Sequence, residues 1–264
     1  MEHNYVKTSD GLNLFYKKSG NGKTALFFVH GWLGNAEWWN KQQAYFDKCY
    51  TVVSLDLPGH GKSDVNRGEW TSNAYAMDIK TVAEQLDVDQ IVLIGHSMSG
   101  AYVLEAALYM SNVCGVVLVD TLKDIEKQMT LIQAEEMLFS KYRSDFNNAV
   151  DNLLPNFLFC NQTPQVLIEQ LKGEFLSHPS DLAIKVIEPL YKMNIKAIVS
   201  EVNIPVRGIN SDFSPTNIEN NLNYFKDYDY KSIHQTGHYP MLEKPDEFNT
   251  VLSEILDILL GKKN

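Results

Sequence analysis

The alternation of apolar and polar positions predicts that most of the chain forms strands separated by helices. Apolar runs of strand length recur with stretches between them that can form helices, and such runs are typical of parallel strands covered on both faces. In chain order they read "ALFFVH", "YTVVSLDL", "QIVLIG", "CGVVLVD" and "IPVRGI". Ahead of them, "NYVKTSD" and "LNLFYKKS" predict a hairpin that turns at Asp10 and Gly11. This order of elements predicts an α/β fold.

Several helices can be recognised from the spacing of their apolar side chains. The stretch "TSNAYAMDIKTVAEQL" carries one apolar stripe, and a second stripe starts near Pro245. Asp246 and Glu247 lie in the first turn of this last helix and Gly261 follows its end, as expected of helix termini. The stretch "MSGAYVLEAALYM" is apolar almost all round, which predicts a buried helix.

A long insertion is predicted between "VVLVD" and "IPVRGI", because the roughly eighty residues between these runs exceed what one crossover needs. Residues 122–193 are rich in Leu, Met, Phe and Tyr. Their prolines, at positions 155, 164, 179 and 189, predict several short helices broken at these points. Such helices would cover the crevice in which open α/β folds bind ligands. We therefore expect residues 1–121 and 194–264 to form the core and residues 122–193 a helical cap.

The charge of the chain argues against nucleic acid as a partner. The sequence has 23 Lys and Arg against 33 Asp and Glu, a formal net charge of -10, and no cluster of basic residues that would neutralise phosphates. The first residues lack the basic start and apolar core of a secretory signal, and no run of about 18 apolar residues occurs. We expect a cytoplasmic protein without a membrane partner, either a monomer or a homodimer.

The cysteines and histidines form no recognisable disulfide or metal pattern. Cys49, Cys114 and Cys160 are far apart and odd in number, which favours free thiols in a reducing compartment. No pair of cysteines has zinc-ligand spacing, and the histidines include no H-E-x-x-H arrangement. The sequence therefore predicts neither a metal ion nor an organic cofactor.

The stretch "GHSMSG" places Ser97 between an apolar run and a predicted helix. Small residues on both sides allow the tight turn that presents a nucleophilic serine, in the pattern G-x-S-x-G. Here Ser99 replaces the last glycine, with Gly100 one place later. Ser97 is thus either a nucleophile or an ordinary small residue in a strand–helix connection, and the rest of the chain has to decide.

A serine hydroxyl needs a base within hydrogen-bond reach. The stretch "SIHQTGHYPMLEKP" offers His234 and His238. His238 belongs to a loop after the last strand, where catalytic groups collect in α/β folds, whereas His234 is expected within the strand. We predict that His238 is the base.

The acid that orients the imidazole is expected at another strand end. Asp212 follows "IPVRGI" and Asp120 ends "VVLVD". Asp212 is predicted as the acid because the chain order serine, acid, histidine is usual for this arrangement. The alternative for Asp120 is a polar residue that closes its strand.

Two backbone amides are candidates for an oxyanion hole. The amide of Trp32 follows His30 and Gly31 at the end of an apolar run, and the amide of Met98 lies beside Ser97 at a helix N-terminus. A simple turn is the alternative for His30 and Gly31.

The predicted substrate pocket is apolar. We expect it to be lined by Trp32, Phe213, Met137 and Phe157, although core packing is the ordinary role of such side chains. His60 is predicted to stabilise a turn, and His96 to support the turn at Ser97.

Four stretches occur in an order that resembles the α/β-hydrolase superfamily. They are "HGWLG", "SLDLPGHGKSD", "GHSMSG" and "GHYPMLEKPDEF", with Asp212 before the last. The resemblance is to its capped, serine esterase-like branch and covers nearly the whole chain outside residues 122–193. It implies a mostly parallel eight-stranded sheet flanked by helices, with an inserted helical cap. "HGWLGNAEWW" is also similar to biotin-pathway carboxylesterases, and "HGWLGN" to menaquinone-pathway lyases.

The predicted activity is hydrolysis of a carboxylic ester with a small to medium acyl or alcohol group, through an acyl-enzyme. A serine at the nucleophile position disfavours the dehalogenase and epoxide-hydrolase relatives, which use a carboxylate there. Three alternatives stay open. The same triad can serve a carbon–carbon hydrolase or lyase, and the fold can serve as a non-enzymatic small-molecule receptor. A purely structural or interaction protein is the third, and it would leave the catalytic set unexplained.

Overall fold

A computed structural model describes residues 2–261, and in this range the chain forms an eight-stranded sheet with the spatial order β1-β2-β4-β3-β5-β6-β7-β8. The strands are β1 (Glu2–Lys7), β2 (Asn13–Ser19), β3 (Thr24–Val29), β4 (Thr51–Leu55), β5 (Gln90–His96), β6 (Val113–Val119), β7 (Val206–Ser211) and β8 (Tyr228–Ile233). The β1–β2 and β2–β4 pairs are antiparallel and the other pairs are parallel. The predicted fold class is confirmed.

Helices flank this sheet in the described range. They are α1 (Asn40–Phe46), α2 (Ser72–Ala83), α3 (Met98–Ala107), α4 (Leu131–Ala134), α5 (Ser140–Ser144), α6 (Phe146–Asn148), α7 (Pro155–Leu158), α8 (Gln165–Leu176), α9 (Ser180–Lys192), α10 (Ile195–Glu201), α11 (Ile218–Leu222), α12 (Pro240–Glu243) and α13 (Pro245–Leu259). Short 3-10 helices span Ala36–Trp39 and Ile125–Lys127, and π-helical turns span Glu135–Phe139 and Ala149–Leu153.

The core is centred on the parallel strands. Every residue of β3 from Ala25 to Val29 is buried, and so is every residue of β5 after Gln90. Helix α3 is buried from Met98 to Ala106, which agrees with its apolar sequence all round. It packs against β5 and α2, where the rings of Tyr75 and Tyr102 stack at a centroid distance of 4.7 Å. The strand ends that carry the site therefore rest on a rigid interior.

The chain between β6 and β7, residues 120–205, is helical and is called here the β6–β7 segment. Pro155 begins α7, and Pro164 and Pro179 directly precede α8 and α9, so these prolines mark helix starts as predicted. The predicted break at Pro189 is wrong, because α9 continues through it. The face of α9 that includes Val186 and Pro189 is buried, and this packing outweighs the hydrogen bond that proline removes.

Two side chains of the core attach to α9. The indole Nε1 of Trp32 donates to the carbonyl of Ala183 at 2.7 Å, and the hydroxyl of Tyr75 donates to the carbonyl of Val186 at 3.2 Å. The boundaries predicted for a cap, 122–193, stay a prediction. Within residues 2–261 no helix combines the length and the apolar character needed to cross a membrane.

Candidate active site

Ser97 lies in a strained turn between β5 and α3. Its backbone has φ 54° and ψ -123°, a conformation that is costly for a residue with a side chain. A Cβ on Gly95 would lie 2.6 Å from the carbonyl oxygen of Ser99, and one on Gly100 would lie 2.3 Å from Cγ2 of Thr121. Gly95 is needed because strand and helix approach closely around Ser97, and Gly100 because the chain after β6 packs against the start of α3.

The departure from the usual glycine at position 99 has a structural explanation. Ser99 is fully buried, and its hydroxyl donates to the backbone carbonyl of His30 at the end of β3. This hydrogen bond connects the turn at Ser97 to the loop that follows β3. The serine therefore serves the local geometry instead of disturbing it.

His238 lies between Ser97 and Asp120. Its Nε2 is 2.8 Å from the hydroxyl oxygen of Ser97, and its Nδ1 is 2.7 Å from Oδ2 of Asp120. With Asp120 ionised, Nδ1–H donates to the carboxylate and Nε2 is left to accept from the serine hydroxyl. The predicted contact of Ser97 with His238 is present.

The prediction that Asp212 lies beside His238 is wrong. Asp212 is exposed, with Oδ2 3.2 Å from Nδ1 of His234 and Oδ1 accepting from the amide of Gln235 at 2.8 Å. His234 lies just after β8, not within it, and is exposed too. The acid next to His238 is Asp120, the alternative that the sequence left open.

The sheet order explains this correction. Asp120 follows β6, which pairs directly with β5, the strand that leads to Ser97, whereas Asp212 follows the next strand outward. The residue before Asp212 also serves Asp120, since Ser211 donates its amide at 2.7 Å and its hydroxyl at 2.8 Å to Oδ1 of Asp120. The end of β7 thus supports the acid instead of supplying it.

Asp120 is buried and strongly hydrogen-bonded. Lys123 places its Nζ 2.6 Å from Oδ1, on the side of the carboxylate away from His238. Burial by itself raises the pKa of Asp120, but the hydrogen bond and charge of His238 and the charge of Lys123 outweigh it and hold the pKa well below its usual value. The carboxylate is therefore ionised at neutral pH.

Glu243 holds the loop that carries His238. Its Oε2 accepts from the amide of Gly237 at 2.9 Å, and its Oε1 accepts from the amide of Tyr239 at 3.2 Å. The hydroxyl of Thr163, in the β6–β7 segment, donates to the same carboxylate at 2.7 Å. One carboxylate therefore fixes the backbone on both sides of the histidine.

The backbone of His238 itself has two further partners. Its amide donates to the carbonyl of Leu158 at 2.8 Å, and its carbonyl lies 2.8 Å from Nε2 of His96. Burial, and then the nearby His238, lower the pKa of His96 to about 3, so His96 is neutral and can donate Nε2–H to this carbonyl. Its place agrees with the supporting role predicted for it.

The two predicted oxyanion amides belong to backbone next to Ser97. A Cβ on Gly31, the residue before Trp32, would lie 3.0 Å from Cβ of Ser97, so the loop after β3 directly touches the turn. Met98 is the first residue of α3, where amide groups lack an acceptor within the helix. Both segments are thus in place beside the serine.

A cavity of about 260 Å³ opens at Ser97 and His238. Apart from these two, it is lined by Trp32, His96, Met129, Leu138, Tyr142, Leu154, Phe157, Leu158, Ile187, Tyr191 and Tyr239. Most of these side chains come from the β6–β7 segment. The cavity is mainly apolar, which suits an organic substrate more than an ion.

The cavity includes two of the four predicted pocket residues, Trp32 and Phe157. The prediction is wrong for Phe213 and Met137, which are exposed at the surface and are not among its lining residues. Phe213 follows Asp212 in an exposed loop, and Met137 lies in a π-helical turn whose next residue, Leu138, faces the cavity instead.

Comparison with known proteins identifies the family of this chain. A family model described as the alpha/beta hydrolase fold matches residues 24–160. The chain belongs to the α/β-hydrolase family. That match includes the strands and turns that carry Ser97 and Asp120, and it ends within the β6–β7 segment.

Curated relatives of this α/β-hydrolase chain match it over a limited length. It is 39% identical over 109 residues to a non-heme chloroperoxidase from Streptomyces lividans, covering 40% of this chain and 38% of the relative. It is 37% identical over 110 residues to a bifunctional esterase/perhydrolase from Acinetobacter calcoaceticus, covering 41% of this chain and 39% of the relative. The matched region therefore spans less than two fifths of the length of each of these relatives.

Solved structures match over nearly the full length. An esterase from Exiguobacterium antarcticum has a TM-score of 0.84 at 18% identity, covering 97% of this chain and 100% of that chain. A thermophilic esterase from Thermogutta terrifontis has a TM-score of 0.83 at 21% identity, covering 98% of this chain and 99% of that chain. At these identities the likeness is one of fold.

Several residues of the α/β-hydrolase site were not predicted. Ile187 and Tyr191 line the cavity from α9 and are four residues apart, so the apolar stripe of that helix was a usable signal. Lys123 lies three residues after Asp120, and Glu243 lies four to six residues after the loop amides that it binds. No recognised sequence motif marks either contact. In residues 2–261 no group of three or more His, Cys, Asp or Glu side chains is placed to hold a metal ion.

Proposed function

We propose that the chain is a serine hydrolase that cleaves a carboxylic ester through an acyl-enzyme. The observation that carries this proposal is the continuous line from Ser97 through His238 to Asp120, with contacts of 2.8 Å and 2.7 Å, at one end of an apolar cavity. These are the distances that activation of a serine by a neighbouring base requires.

The proposed reaction has two halves. Ser97 attacks the ester carbonyl while His238 takes its proton through Nε2, and the protonated imidazole then donates to the leaving alcohol. Asp120 stabilises the imidazolium that forms in between. Water then attacks the acyl-enzyme with His238 again as the base, which releases the acid and restores Ser97.

We propose that the amides of Trp32 and Met98 stabilise the oxyanion of each tetrahedral intermediate. Support comes from the close approach of Gly31 to Ser97, where an added Cβ would lie 3.0 Å from the Cβ of Ser97, and from the position of Met98 at the start of α3. Donors fixed before the reaction stabilise the developing charge without having to reorganise.

We propose that the β6–β7 segment covers the cavity as a cap and that the substrate has a small to medium apolar group. At roughly 30 Å³ for a water-sized group, a cavity of about 260 Å³ holds an acyl or alcohol part of roughly eight or nine such groups. Relatives and structural neighbours that are named esterases agree with an ester substrate.

The decisive experiment compares wild type with Ser97→Ala on p-nitrophenyl esters of increasing acyl length. We expect a preference for short to medium acyl groups over long ones. In the variant we expect a loss of at least about 10³-fold in kcat/KM, because no other group replaces the nucleophile. Mass spectrometry of quenched wild type is expected to find the acyl group on Ser97. Ser111→Ala, which changes an exposed serine, is the matched control.

The same experiment separates the alternatives. A carbon–carbon hydrolase or lyase that uses the triad only for proton transfer is indicated if turnover of another substrate class depends on Ser97 without an acyl-enzyme. A receptor is indicated if the wild type binds small molecules and neither hydrolyses esters nor becomes acylated. Full ester activity in Ser97→Ala would contradict the proposal outright.

A further inference from the structure

Lys123 brings a fixed positive charge against the acid of the site. Its Nζ lies 2.6 Å from Oδ1 of Asp120, and its side chain is only 10% exposed. The same ammonium donates at 3.0 Å to the carbonyl oxygen and at 3.0 Å to the hydroxyl of Ser211, and at 3.3 Å to the carbonyl of Ser214. With these acceptors around it, the charge cannot swing away into solvent.

The two oxygens of Asp120 therefore face two different cations during the proposed reaction. Oδ2 accepts from His238, and Oδ1 accepts from Lys123 and from the amide and hydroxyl of Ser211. The bonds to Oδ1 fix the plane of the carboxylate. They also share its negative charge, so the imidazolium of His238 gains less from Asp120 than it would from an otherwise neutral surrounding.

We propose, on the basis of the proposed function, that Lys123 is a positioning residue that acts through Asp120. It orients the carboxylate toward His238 and keeps His238 neutral, and hence able to act as a base, in more acidic solution than the Asp120 contact alone would allow. Lys123 touches neither Ser97 nor the cavity, so its effect reaches the reaction only through the acid.

The other ionisable groups that line the cavity beside His238 are uncharged. His96, from β5, is neutral because burial lowers its pKa to about 3. Tyr239, just before α12, and Tyr142 and Tyr191, from the β6–β7 segment, stay protonated because burial raises the pKa of each. From β7 comes the uncharged Ser211, and the carboxylate of Glu243 binds the loop amides on either side of His238.

The test is the pH profile of kcat/KM for an activated ester in wild type, Lys123→Met and Lys123→Arg. We expect the pH of half-maximal activity on the acidic side to rise by about one unit in Lys123→Met, the effect of removing a like charge near the ionising imidazole. Lys123→Arg keeps the charge and is expected to stay near the wild-type profile. Lys127→Met is the matched control, because Lys127 is 79% exposed and lies near Asp124, not Asp120.

A purely structural role would change kcat or stability without moving the acidic limb. An unshifted limb in Lys123→Met, or an equal shift in Lys127→Met, would overturn the inference. If Lys123→Met does not fold, Lys123→Gln removes the charge while keeping a hydrogen-bond donor, and the same outcomes apply.

A second readout keeps this inference distinct from the proposed function. Titration of the His238 imidazole by NMR in wild type and Lys123→Met needs no turnover, and its midpoint is expected to move up by about the same one unit. If the wild type hydrolyses no ester and yet the NMR midpoint moves, the proposed function fails and the role of Lys123 stands. If esters are hydrolysed through Ser97 and neither midpoint moves, the role of Lys123 fails alone.

Discussion

Two aspartate–histidine pairs follow the C-terminal ends of strands β6 to β8, and they differ mainly in their exposure to water. In the pair of Asp120 with His238, the side chains are 4% and 18% exposed and the contact is 2.7 Å. In the pair of Asp212 with His234, they are 40% and 72% exposed and the contact is 3.2 Å. An ion pair that is exposed to water is weaker than a buried one and more sensitive to salt. Of the two strand-end acids, the one that the fold shields from water is the one that contacts the histidine of the cavity.

The largest effect is expected when the two acids are removed one at a time. Asp120→Asn is expected to lower kcat by about 10⁴-fold, because the amide no longer selects the tautomer that His238 needs. Asp212→Asn is expected to leave kcat within about twofold. Steady-state kinetics on one activated ester measures both, and a large loss in Asp212→Asn would show that the exposed pair serves the reaction after all.

The support of the buried pair can be weakened without touching it. Glu243→Gln keeps the size of the side chain but replaces one of the two acceptors for the amides around His238. We expect a fall in kcat of about tenfold with little change in KM, since a hydrogen bond to a charged group contributes about 1.5 kcal/mol or more. Glu247→Gln, at an exposed ion pair with Lys244, is the control. Equal losses in the two variants would exclude a specific role for Glu243.

Buried and exposed histidines are expected to differ in how stability depends on pH. Burial lowers the pKa of His30 to about 4 and of His96 to about 3, and places that of His60 well below its usual value. These histidines bind protons in the unfolded chain at pH values at which they stay neutral in the folded chain. Their contribution to stability is therefore full above about pH 6.5 and falls as the pH drops below it, by up to about 1.4 kcal/mol per pH unit for each histidine.

Urea unfolding at several pH values tests this expectation. His60→Asn is expected to reduce the slope of the free energy of unfolding between about pH 6.5 and 5 by up to about 1.4 kcal/mol per pH unit, the contribution of one such group. His234→Asn is expected to leave the slope unchanged because His234 is exposed. An unchanged slope in His60→Asn would contradict the burial of this imidazole in its neutral form.

The smallest effect is expected from breaking the exposed pair. Asp212→Ala at neutral pH should change the free energy of unfolding by less than about 1 kcal/mol, the usual range for a surface ion pair. Added salt should make the difference smaller still. Urea unfolding at low and high salt measures it, and a loss of several kcal/mol would mean that the loop of Asp212 has a structural task beyond this contact.

The parts of the molecule that sequence reasoning predicted well each have a local signature. Unbroken apolar runs mark the parallel strands because such strands are covered on both faces. Ser97 and His238 stand in short glycine-containing turns, where the backbone itself restricts which residues are allowed. These signals can be read within a few residues of the group they identify.

The site residues that the sequence did not predict correctly depend on how the whole chain folds, which no short stretch of sequence reveals. Asp120 and Asp212 both end apolar strands, and only the sheet order brings the first of them against His238. Met137 and Leu138 are neighbours in sequence, and the π-helical turn decides which of them faces the cavity. Such choices follow from packing over the whole fold and not from residue type.

The hydrogen bond from the amide of His238 to the carbonyl of Leu158 limits how this protein can be redesigned. A chimera that exchanges the whole β6–β7 segment for that of a relative, in order to transplant its substrate preference, would also discard the acceptor for the histidine loop and the Thr163 partner of Glu243. Grafts that retain residues 158–163 and vary the helices on either side keep that anchorage while changing the walls of the cavity.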